Sequence, residues 1–134
     1  MYKVMIADDE RIIREGIANK IEWDKLGLTL LDLAVNGTDA FEKITLLKPD
    51  IVITDIKMPG MNGLELIKKF CHTVPRIKFI ILSGFDEFTF AQKAMEYGIK
   101  HYLLKPTDEK EIIRALMTVI EELDKEQAKQ SFLN

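Results

Sequence analysis

Five short apolar runs recur along the chain with longer amphipathic stretches between them, and that alternation restricts the possible folds more than any single motif. The runs are YKVMIA (2–7), LTLLDLAV (28–35), DIVITD (50–55), IKFIIL (77–82) and HYLL (101–104). The first, third and fourth are apolar almost throughout, the pattern of parallel strands covered on both faces. Helices must supply that cover. Residues 10–22, 37–47, 62–73, 86–97 and 108 to about 129 carry apolar positions three and four apart, as in Leu64, Ile67, Phe70 and Cys71. Asn36, Asn62, Asp86 and Asp108 stand where caps or first-turn residues belong. A strand and a helix repeated in this way predict an open, doubly wound α/β sheet, because each right-handed crossover lays its helix on one face.

The chain has 134 residues, 47% hydrophobic and 31% charged, enough for one domain with its own core. No segment reaches the roughly 20 consecutive apolar residues of a membrane span, and MYKVMIADDE meets acid too early for a signal peptide. The expectation is a cytoplasmic protein with no membrane contact. A net charge of −3 without a basic run argues against nucleic-acid binding by this segment. The one cysteine, Cys71, is read as a packing residue, since no CxxC or spaced histidine accompanies it. The final stretch keeps apolar spacing through Leu123 and then turns polar, so residues 126–134 read as a tail or the start of a linker.

In a parallel sheet the carboxyl ends of all strands lie along one edge, so the residue after each apolar run matters. The runs end on Asp8, Asp9 and Glu10; on Asp55; on Ser83 and Gly84; and on Lys105 and Pro106. The second run ends on Val35 and Asn36 and contributes nothing ionisable, which fits a strand set to one side of a crevice where the strand order reverses. Carboxylates about 4 Å apart repel by about 4 kcal/mol at an effective dielectric near 20, so a cation belongs among them. Magnesium suits a set of carboxylate, carbonyl and water oxygens, whereas zinc would call for His or Cys. Other readings stand beside these. Asp8 and Asp9 also suit helix capping, Asp55 a turn ahead of Pro59-Gly60, Ser83-Gly84 a plain turn and Lys105 a solvated loop. A cis bond before Pro106 would aim Lys105 inward.

Taken in order, DDE (8–10), DIKMPGMNGLEL (55–66), ILSG (81–84) and YLLKP (102–106) make the chain resemble the receiver domain of two-component response regulators over residues 1–125. The resemblance implies a flavodoxin-like (βα)5 fold, a doubly wound parallel five-stranded sheet of order 2-1-3-4-5. It implies Asp55 as phosphoacceptor and Mg2+ held by Asp8 or Asp9, Asp55 and the backbone carbonyl of Lys57. Ser83 would bind a phosphoryl oxygen, Lys105 would pair with the phosphate, and Tyr102 matches the family's switch aromatic. Lys57 and Phe85 fall at positions where members vary and phosphate lifetime is tuned. IANKIEWDKLGL and SGFDEFTFAQKAMEYGIKHYLLKPTDEKEI resemble more narrowly the subgroup joined to AraC-type helix-turn-helix DNA-binding domains.

The expected function is therefore phosphoryl transfer from a sensor histidine kinase to Asp55, followed by movement of Ser83, Lys105 and Tyr102. Such movement would reshape the face of the fourth helix, fifth strand and fifth helix and favour a homodimer there. That face carries Phe88, Phe90, Met95 and Tyr97, and residues of this kind at helical spacing belong to a core more often than to an interface. DNA would be reached only through a C-terminal domain outside these residues. A magnesium phosphohydrolase is the rival from another class, but such enzymes commonly place an acid two residues past the nucleophile, where Lys57 stands. A flavin or nucleotide binder is disfavoured by the lack of a glycine-rich phosphate loop. A stand-alone phosphorelay carrier is the alternative within the class.

Overall fold

The computed structural model describes residues 1–73 and 76–133. In chain order the elements are β1 (Tyr2–Ala7), α1 (Arg11–Lys20), a 3-10 turn (Trp23–Leu26), β2 (Leu28–Ala34), α2 (Gly37–Leu47), β3 (Ile51–Asp55) and α3 (Gly63–Phe70). They continue as β4 (Lys78–Ser83), a second 3-10 turn (Phe85–Glu87), α4 (Phe88–Glu96), β5 (His101–Leu104) and α5 (Glu109–Leu133). The strands form one parallel sheet in the order β2-β1-β3-β4-β5. This is the flavodoxin-like fold.

Side chains alternate across a strand, so a strand covered on both faces is apolar at nearly every position, as in β1, β3 and β4. On one face Met5, Val52, Phe79 and Ile81 pack against Ile44 of α2, Leu66 and Ile67 of α3 and Ala91 and Ala94 of α4. On the other, Val4, Ile6, Ile51, Ile53, Ile80 and Leu82 meet Ile17 of α1 and Ile112, Leu116, Val119 and Leu123 of α5. Each fully buried Ile or Leu contributes about 1.5–3 kcal/mol. All five residues of β3 are buried, as its central place demands.

Several boundaries differ from the sequence reading: α3 ends at Phe70 instead of 73, and three others differ for a local reason. α1 stops at Lys20 because Ile21 is extended, and the Trp23 indole donates to the Ala18 carbonyl at 3.0 Å, folding the chain back over the helix end. The stretch expected as one helix from 86 begins as a 3-10 turn, and Asp86 lies in that turn instead of capping α4. α5 continues to Leu133, past its last buried residue, Leu123. Its polar part is rich in strong helix formers and is tied to the base of the sheet. Tyr2 donates to Asp124 at 2.6 Å, Lys78 to Glu126 at 2.9 Å, and His101 lies 2.8 Å from Glu122.

Caps support the other helices. Asn36 accepts from the Asp39 amide, Asp108 from the Glu111 amide, and Asn62 with Glu65 forms a reciprocal capping box at the start of α3. Cys71 is buried, as its packing role required.

Candidate functional site

The carboxyl ends of β1, β3, β4 and β5 gather the strand-end residues into one cluster. Asp55 is the last residue of β3 and only 3% exposed; its Oδ1 accepts the Ile56 amide at 2.8 Å. Asp8 follows β1 and is fully buried, with Oδ1 accepting the Glu10 amide at 2.9 Å. This contact corrects the capping alternative, since α1 has Glu10 at its N-cap and no side-chain cap bond. The Asp8 carbonyl accepts from the buried Arg14 guanidinium at 2.7 Å, so the loop carrying the acids is fixed from below.

Lys105 comes into the cluster from the end of β5. Its backbone amide donates to the Ser83 carbonyl at 2.8 Å, and the Lys105–Pro106 bond is cis. Its Nζ lies 3.1 Å from Asp55 Oδ2, 3.3 Å from Asp8 Oδ2 and 3.5 Å from Glu10 Oε1. The solvated-loop reading of this lysine is thereby excluded. Ser83, the last residue of β4, has a fully buried hydroxyl without a hydrogen-bond partner among the described residues. Asp8 Oδ2 likewise makes no hydrogen bond there, although the ammonium of Lys105 stands beside it.

Asp9 is exposed, yet one carboxylate oxygen from each of Asp8, Asp9 and Asp55 can be chosen so that all lie within 4.8 Å of one another. A single Lys105 cannot balance three carboxylates. Burial and the neighbouring negative charge both bear on the protonation of the buried pair. Burial, then the neighbouring charge of Asp8, pushes the Asp55 carboxyl up to about 6 against the pull of Lys105. Burial also raises Asp8 above the usual carboxylate range. For Lys105 burial acts downward, but Asp8 and Asp55 outweigh it and leave the ammonium more firmly protonated than usual. An all-oxygen donor set with an orphaned buried carboxylate oxygen fits a hard divalent cation such as magnesium.

The other residues singled out in the sequence lie around this centre. Lys57 follows β3 on an exposed loop, its ammonium 3.3 Å from Asp86 Oδ2. Tyr102 pairs with Ile81 in the β4–β5 ladder and is half-buried against the cluster of α2, α3 and α4. The side chain of Phe85 lies outside the described residues. Two residues escaped the sequence reading: Arg14 and Glu87, both 9% exposed. Arg14 was detectable, because a charged residue three before Ile17 sits on the apolar face of α1. Glu87 resembled any acid near a helix start.

The chain matches the response regulator receiver domain family over residues 4–117. It belongs to that family. The transcriptional regulatory protein YesN of Bacillus subtilis, itself described as uncharacterized, is 56% identical over 126 residues, covering 94% of this receiver chain and 34% of YesN. LnrK, a transcriptional regulatory protein of the same organism, is 40% identical over 119 residues, covering 89% of the chain and 54% of LnrK. The receiver chain therefore spans between a third and about half of these relatives. Among solved structures, the receiver domain of AraT from Geobacillus stearothermophilus superposes with a TM-score of 0.88 at 39% identity, covering 94% of this chain and 98% of that one. A two-component transcriptional regulator AraC from Clostridium phytofermentans gives 0.87 at 30% identity, covering 96% and 99%. Phosphorylation and magnesium are typical of receiver domains, which serve regulators and are not conventional enzymes. No described helix is long and apolar enough to cross a membrane.

Proposed function

We propose that Asp55 accepts a phosphoryl group from the phosphohistidine of a sensor histidine kinase and that the modified domain controls a DNA-binding region outside this chain. The observation that carries this reading is Asp55 itself, a buried strand-end carboxylate held through one oxygen by the Ile56 amide and through the other by Lys105. With a pKa of about 6 it is mostly ionised near pH 7 and so available as a nucleophile.

In the transfer, an Asp55 oxygen forms a bond to phosphorus as the P–N bond to the donor imidazole breaks and its electron pair returns to that nitrogen. Lys105, drawn from its present pairing, meets the charge on the phosphoryl oxygens, and the unpartnered Ser83 hydroxyl donates to one of them. Asp8, Asp9 and Asp55, with the Lys57 carbonyl, would hold magnesium, which when bound neutralises charge on the transferring group. Movement of Ser83 opens space toward Tyr102, two residues back in the neighbouring strand's register, which acts as the switch aromatic. The same residues assist hydrolysis of the acyl phosphate.

Residues 1–125 form the receiver, and residues 126–134 begin a linker to an AraC-type DNA-binding domain; the match to only 34% of YesN and the likeness to the Clostridium phytofermentans regulator AraC support this reading. The domain works in the cytoplasm, and its partners are the kinase and, once phosphorylated, a second copy of itself. Labelling with acetyl phosphate tests the centre of the reading. Wild type should incorporate phosphate only with magnesium, and Asp55→Asn should incorporate none. Equal labelling of the two proteins overturns the assignment.

A further inference from the structure

Glu87 is buried at the edge of the site without a use in the transfer chemistry. Its Oε2 has no hydrogen-bond partner among the described residues. Its backbone amide donates to the Gly84 carbonyl at 3.2 Å, and its Oε1 lies 3.6 Å from where a Cβ on Gly84 would stand. The carboxylate is thus folded back over the residue next to Ser83. Its charge also acts on Asp55, adding to the upward pressure on that carboxyl.

Glu87 occupies the N-cap position of α4, yet its side chain makes no cap bond. No side chain caps the start of α4, which continues directly from the 3-10 turn. A carboxylate oxygen buried without a partner is costly and a helix start without a side-chain cap is weak, so both local terms favour turning Glu87 outward. Phe88, immediately after it, is exposed.

We propose that Glu87 is a positioning residue that couples the state of Asp55 to the start of α4. Phosphorylation adds about 1.5–2 negative charges close to this carboxylate. The repulsion expels Glu87 from the site, and the side chain then becomes available to cap the first turn of α4. The two arrangements, acid in with an uncapped helix or acid out with a capped one, form a two-state element biased by the phosphoryl group. The inference rests on Asp55 being the modified residue.

The test uses this chain with magnesium and beryllium fluoride, a phosphoryl mimic, and follows binding by fluorine NMR and hydrogen exchange at the amides of residues 88–91. Wild type should bind the mimic and show increased protection at those amides. Glu87→Gln and Glu87→Met should bind it about tenfold more tightly, since a repulsive charge is gone, while losing more than half of the protection change. Glu87→Asp should keep both wild-type features. Neutral variants with unchanged affinity and a full α4 response overturn the proposal, as do variants that bind more weakly, because a merely structural lesion does not tighten binding. Failure of wild type to bind the mimic, or equal binding by Asp55→Asn, instead counts against Asp55 as the site.

Discussion

Asp55, the proposed phosphoacceptor, sits where its charge destabilises the fold. Its pKa rises from the ordinary 3.8 to about 6 in the fold, first through burial and then through Asp8. A group that binds its proton more tightly when folded favours the fold fully below pH 3.8, and that contribution is lost as the pH rises through 6. Asp55→Asn removes the charge and should therefore stabilise the chain by about 2 kcal/mol at pH 7.5 in a chelator, with the gain vanishing near pH 4. Urea midpoints at the two pH values check this; a variant less stable than wild type at pH 7.5 would contradict it. Lys105→Met should act in the opposite direction, because it leaves the buried acids uncompensated, with a loss of about 3–5 kcal/mol at pH 7.5 without metal. Asp8, Asp55, Ser83 and Lys105 were legible in the sequence because each directly follows or ends a strand. Arg14 showed in the sequence only as a charge on the apolar face of α1, and Glu87 is set apart by burial and contact geometry that its spacing did not convey.

At the scale of elements, α3 shows how local sequence places the site. Asn62 and Glu65 cap each other's amides, and the Gly63 amide donates to the Ile56 carbonyl at 2.6 Å, drawing the helix start against the end of β3. A Cβ on Gly63 would collide with the Asp55 carbonyl and stand 2.9 Å from the Ile56 Cα, both backbone atoms unable to yield without moving Asp55. Gly63→Ala should cost about 1–3 kcal/mol and slow acetyl phosphate labelling of Asp55. Asn62→Ala should cost about 1 kcal/mol and leave the labelling rate close to wild type; thermal melts and phosphate incorporation separate the two. The capping box was readable, since Asn followed three residues later by Glu is a helix-start signature. The break before α4 was not: 3-10 and α-helical turns place apolar residues at nearly the same intervals, so periodicity cannot separate them.

For the whole molecule, the distribution of apolar surface tests the domain boundary and the dimer. Burial along α5 ends at Leu123, so truncation after Lys125 should lower stability by no more than about 1 kcal/mol, the scale of the partly exposed Lys78–Glu126 pair it removes. A larger loss in calorimetry would move the boundary outward. On the α4–β5–α5 face, Phe90 and Tyr97 pack on the core, whereas Met95, Leu104 and Met117 are more than a third exposed. These exposed residues are the expected dimer contacts. Sedimentation should show the mass doubling with beryllium fluoride and magnesium, and an unchanged mass would remove this interface. By itself the sequence determined the α/β class and which residues end each strand, because periodicity and turn chemistry are local properties. The resemblance to receivers supplied the strand order in advance. Only the tertiary structure decided which of those residues meet, which polar atoms lose solvent and how one lysine is shared among three acids, because burial and Coulomb interactions depend on distances between segments far apart in the chain.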